Sequence, residues 1–70
     1  MNALTATLDG REIGRCLIHT GAHKSARRVP AHFARMALDA GAELSVMTER
    51  GPQPRRIVAT GKRYYTRVAG

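Results

Sequence analysis

The chain reads as an α+β domain, a small antiparallel sheet of about five strands with one α-helix packed on one face, in the order ββαβββ. Three observations predict it. Residues Arg55 to Val68, RRIVATGKRYYTRV, form two alternating runs joined at Gly61 and Lys62, and glycine in the first place of a two-residue loop suits a type II′ hairpin turn. Leu4, Ala6 and Leu8 alternate with Thr5 and Thr7 and lead into Asp9-Gly10, a second two-residue hairpin signal. Between the hairpins, Val29, Phe33, Met36, Ala37 and Ala40 recur at spacings of three and four, the pattern of one apolar helix face.

The first strand is followed by a second from Arg11 to about Thr20. Simple pairing across Asp9-Gly10 sets Ala6 against Ile13 and Leu4 against Arg15, which aims Arg15 into the core. A bulge at Gly14 shifts the parity, so that Ile13, Cys16 and Ile18 face inward and Arg15, Leu17 and His19 outward. Thr20 to Arg28, TGAHKSARR, has no apolar period and reads as a connection. The helix is expected over residues 30 to 41. Pro30 suits a first helical position, Val29 before it is held extended, and Gly41 is a natural C-terminal stop. Ala31, Arg35 and Asp39 lie away from the apolar stripe, and Leu38 lies at its edge.

Glu43 to Arg50 alternates as a strand with Leu44, Val46 and Thr48 on one side. Gly51-Pro52-Gln53-Pro54 reads as a loop, because proline has no amide to give a central ladder. The turn at Gly61-Lys62 then sets the last register: Thr60 opposite Arg63, Ala59 opposite Tyr64, Val58 opposite Tyr65, Ile57 opposite Thr66, and Arg56 opposite Arg67. With faces alternating at period two, Ile57, Ala59, Tyr64, Thr66 and Val68 form a core face to meet Phe33. Arg56, Val58, Thr60, Arg63, Tyr65 and Arg67 form the other, which is cationic with an aromatic in it.

The run from Val29 to Val68 combines a helix ending in Ala40-Gly41, a strand SVMTERG, and RRIVATGKRYYTRV. In this it resembles small bacterial families catalogued as domains of unknown function, in which a helix ending in glycine leads into a strand and a final hairpin with an IVAT-like segment and a late tyrosine. The resemblance covers residues 29–68, rests on turn and core residues, and implies a fold but no activity and no site residues.

Seventy residues make one domain, 1–70, which hides only about 60% of its unfolded surface. With one Phe, two Tyr and no Trp, the core is expected to be small, and a deep pocket for a small-molecule substrate is not expected. Twelve Lys and Arg against five Asp and Glu give a net charge of +7. The isoelectric point near 11.2 lies well past the value of about 9 at which a basic domain points to a polyanionic partner. A lone cysteine, Cys16, makes no internal disulfide, and residues 1–20 lack the apolar run of an export signal; a cytoplasmic protein that does not enter the membrane is expected.

Cys16, His19 and His23 stand in the spacing C-x2-H-x3-H, with His32 further on. A structural zinc wants four tetrahedral ligands, and positions three apart on a strand face opposite ways, so no metal site is assigned. Cys16 has no identifiable activating base or oxyanion site, and Asp9, Glu12, Asp39, Glu43 and Glu49 make no convincing carboxylate pair. Gly21-Ala22-His23-Lys24-Ser25 resembles the end of a phosphate-binding loop, but His23 replaces the required glycine and the glycine spacing fails. No enzyme activity and no cofactor are expected.

The basic surface remains. Arg56, Arg63, Tyr65 and Arg67 share a hairpin face, and Lys24, Arg27 and Arg28 lie next to the helix start, where free amides also favour an anion. Guanidinium groups contact phosphates and bases stack on tyrosine, so these seven residues are the candidate contacts to DNA or RNA in a small non-enzymatic nucleic-acid-binding protein. A second reading is a small protein-binding adaptor or inhibitor, or a homodimeric module, built on the stray apolar Leu17, Leu38 and Met47 and an unpaired strand edge.

Overall fold

A computed structural model describes residues 2–18 and 27–69. In them seven elements follow the order β1 (Asn2–Leu8), β2 (Arg11–Ile18), β3 (Arg27–Val29), α1 (Ala31–Ala40), β4 (Glu43–Thr48), β5 (Gly51–Thr60) and β6 (Arg63–Val68). All the pairings are antiparallel, in the sheet order β2-β1-β4-β5-β6-β3. The sheet curls into a half-barrel, so that its edge strands β2 and β3 approach each other. This corrects the expected fold class: the domain is mostly β, with six strands rather than five and with three of them before the helix. The added strand is β3, which has no alternating pattern of its own and exists because Arg27, Arg28 and Val29 pair with Thr66, Tyr65 and Tyr64 of β6. Its first two residues lie within the stretch expected to be a connection, and Val29 is the residue expected to be extended.

The first hairpin turns on Asp9 and Gly10, both at positive φ, 52° and 78°, as the mirror-image turn requires. Its ladder slips between Ala6 and Thr7: Thr7 pairs with Glu12 and Ala6 with Gly14, which leaves Ile13 as the inserted residue. The bulge changes the parity as expected, with Ile18 buried, Cys16 packed on the core and Leu17 outside. Ile13, expected inside, is instead the unpaired residue and is exposed. Gly14 admits the helix closely, since a Cβ there would lie 2.8 Å from Met36 Cε and 3.6 Å from Phe33 Cε1.

Helix α1 begins after Pro30 and stops at Gly41, which takes φ 68° and ψ 30°. The Ala42 amide donates to the Ala37 carbonyl at 3.0 Å and the Gly41 amide to that of Leu38 at 3.2 Å, the paired bonds of a Schellman motif. Phe33, Ala34 and Ala37 are buried, whereas Ala40 is exposed, so the buried stripe is rotated by one position from the expected one. The core joins them to Leu4, Ala6, Ile18, Val29, Leu44 and Val46, with Ile57 and Tyr64 packed at its margin. Val68, expected in the core, is exposed at the last position of β6.

The expected loop at residues 51–54 is the first half of β5. Thr48 pairs with Gly51, Met47 with Pro52, Val46 with Gln53, Ser45 with Pro54 and Leu44 with Arg55. Antiparallel residues alternate the side to which they turn their amide and carbonyl. Pro54 turns its carbonyl away from β4, where it accepts from the Ala69 amide at 3.1 Å, and Pro52 shares its parity. The missing proline donors therefore face the side on which β6 is ending, and the β4 ladder loses nothing. From Arg55 onward β5 exchanges its β4 partner for β6, and this handover bends the sheet.

Candidate nucleic-acid interface

The final hairpin turns on Gly61 at φ 61°, with no positive φ at Lys62, and its ladder has the register expected from the sequence, Thr60 with Arg63 through Arg56 with Arg67. The helix and core occupy the concave face with Ile57 and Tyr64. Arg56, Val58, Thr60, Arg63, Tyr65 and Arg67 therefore lie on the convex face, which no other described element covers.

Strand β3 extends that face by one strand. Arg28 pairs with Tyr65, so it stands beside the tyrosine on the convex side, with Val58 across from it on β5. Arg28, Arg56, Arg63 and Arg67 are exposed, and Tyr65 is half-buried among them. Arg27 pairs with Thr66 and points to the concave face, so it is not part of this surface. Lys24 lies outside the described residues. Of the seven sequence candidates, the fold brings five together, separates one and leaves one undescribed.

Charge is unevenly distributed over the convex face. Strands β3, β5 and β6 contain no acidic residue. Glu12 and Glu43 lie at the β1 end, opposite Thr7 on either side. Glu12 is occupied by Arg15, with Nη2 to Oε1 at 2.7 Å and Nε to Oε2 at 3.0 Å, and this fork lowers the glutamate pKa and raises that of the arginine. It is the one ion pair among the described residues. The four arginines around Tyr65 thus have no carboxylate partner.

A shallow cleft of about 300 Å³ borders this surface where the start of α1 meets the hairpin turn, and Arg28, Lys62, Arg63 and Tyr64 line it with Leu17 and Pro30. The first turn of the helix carries no acidic residue and no side-chain cap, and its start at Pro30 and Ala31 borders that basic cleft.

No family model, curated protein or solved structure matches the chain.

The other sequence candidates separate. Cys16 is half-buried and free, and burial raises its pKa, the reverse of an activated nucleophile. His19 and His23 lie outside the described residues, and no three His, Cys, Asp or Glu side chains among the described residues group as metal ligands. No helix among them is long and apolar enough to cross a membrane. Leu17 and Met47 are exposed on the convex face, and Leu38 is exposed on the helix.

Proposed function

We propose that this protein binds nucleic acid through the convex face of β3, β5 and β6, without catalysis, using Arg28, Arg56, Arg63 and Arg67 on phosphates and Tyr65 as a stacking surface. The observation that carries the reading is the four unpaired arginines around one tyrosine on strands that contain no acid. Direct opposition of like charges across a ladder destabilises a sheet, and a polyanion laid across Arg56 and Arg67 removes that penalty. Single strands fit better than duplex, because the contacts form a sheet surface with an aromatic rather than a helix shaped for a groove.

Fluorescence anisotropy with labelled single-stranded and duplex oligonucleotides, repeated at rising salt, tests it. Binding should weaken linearly on a log–log scale, with a slope no steeper than about −3 for a single strand if all four arginines meet phosphates. Absence of binding at low salt rejects the proposal.

The second reading, a protein partner, draws on one row of the same face. Ala3 pairs with Leu17 and Met47 with Pro52, so apolar side chains run in a row across β2, β1, β4 and β5, with Leu17 and Met47 each 67% exposed. An unchanged pull-down after Leu17→Asp would remove this reading.

A further inference from the structure

The concave face holds polar side chains that the convex-face reading does not use. Thr66 is fully buried, and its Oγ1 has no hydrogen-bond partner. Arg55 is only 8% exposed, with Nε and Nη1 unpartnered, and its Nη2 donates to Gln53 Oε1 at 3.2 Å. The Nε of Arg27 is buried and unpartnered as well. The registers place the three side by side: Arg27 is paired with Thr66, and Arg55 is the diagonal neighbour of Thr66 across the β5–β6 ladder. Buried polar groups without partners are rare in folded proteins, and two cations with a hydroxyl in one patch share a single chemical complement.

That complement is absent from the chain's own side chains. All five Asp and Glu lie in the described residues, and among those residues only Glu12 forms an ion pair, with Arg15. Glu43 borders the same cavity as Arg55, together with Ala37, Leu38, Ala42 and Ile57, without forming an ion pair with it. Of the three side chains Arg55 alone lines this cavity, whose rim also includes Arg56 of the convex face, so a group entering from solvent meets Arg55 first. The end of α1 borders it with about half a negative charge, which the Arg55 guanidinium outweighs.

We propose that Arg55, Arg27 and Thr66 form a phosphate-binding site on the concave face, independent of the convex surface. A phosphate dianion matches the two uncompensated cations, and its oxygens accept from the two Nε–H groups, Arg55 Nη1 and the Thr66 hydroxyl. The phosphate belongs either to a small phosphorylated molecule or to the end of an oligonucleotide.

The test follows the arginine Nε–H resonances of the full chain as sodium phosphate replaces sodium chloride at constant ionic strength. Those of Arg55 and Arg27 should shift saturably and the melting temperature should rise. Arg55→Lys should weaken the effect at least tenfold, whereas Arg63→Glu with Arg67→Glu should leave it unchanged while abolishing convex-face binding. Without phosphate, Arg55→Met should melt above the parent, because an unpaired buried charge is removed; with phosphate it should gain nothing. If Arg55→Met does not fold, Thr66→Val provides the same comparison through weaker phosphate binding. A 5′-phosphorylated oligonucleotide that moves the Arg55 resonance when its 5′-hydroxyl counterpart does not assigns the phosphate to a nucleic-acid end; inorganic phosphate acting alone assigns it to a small molecule. No saturable shift with any phosphate, or an equal response to acetate, overturns the proposal.

Discussion

Arg56 and Arg67 stand directly opposite each other in the β5–β6 ladder, on the face the helix leaves uncovered, and neither forms an ion pair among the described residues. This juxtaposition opposes folding and favours a polyanion. Replacing Arg67 with Glu should therefore separate the two effects. Stability should rise by about 0.2–1 kcal/mol as a cross-strand pair forms, read by urea denaturation. Nucleic-acid affinity should fall, and the salt slope should flatten by about one unit or more.

Tyr65 lies between Arg28 and Val58 on the same face. Tyr65→Ala should weaken single-strand binding by about 1–3 kcal/mol with a smaller loss for duplex, whereas Tyr65→Phe keeps the ring and should keep the affinity. Parallel anisotropy titrations measure the difference. Equal losses on both substrates would mean that Tyr65 supports the face without stacking.

Gly41 closes the helix at φ 68°, where a side chain is strained although nothing lies within 4 Å of a Cβ placed there. Gly41→Ala should cost about 1 kcal/mol or slightly more and lower the melting temperature by about 4–8 °C, with the fold and the convex face intact.

Phe33 is the one large aromatic fully committed to a core in which Ala6, Ala34 and Ala37 are among the buried residues. Phe33→Ala removes about 3–5 kcal/mol, a large part of the stability of a domain this small. Loss of cooperative unfolding in calorimetry is the expected outcome.

Burial raises the Cys16 pKa, so the neutral thiol is favoured in the folded state. This contribution is fully present below the ordinary thiol pKa and is lost as pH rises through the raised folded value. Stability should therefore decline across that alkaline window, and Cys16→Ser should remove the dependence. Alkylation of the folded protein should be slower than that of the same chain in denaturant.

The elements legible in the sequence are those whose cause is local. Asp9-Gly10 and Gly61-Lys62 specify their turns through backbone preference, and a two-residue loop dictates every later pair in its hairpin, so the convex alignment of Arg56, Arg63, Tyr65 and Arg67 could be read directly. The helix and its stop followed from a period and one glycine. Even the parity change near Gly14 was visible, because the unbulged register would have buried Arg15.

Long-range pairing decided the rest. Three residues, Arg27 to Val29, become a strand only because β6 offers them an open edge, and that pairing sends Arg28 to the convex face beside Tyr65 while turning Arg27 inward. Pro52 and Pro54 belong to a strand because their missing donors fall where no partner strand needs them. Arg55, which looks like one more surface cation in the sequence, is buried on the concave face beside a cavity that the end of α1 also borders. Local preferences and periodicity determined turns, registers and the helix; which arginine meets solvent and which is enclosed depended on strands joined across distant parts of the chain, where the energy of the contact has no signature in neighbouring residues.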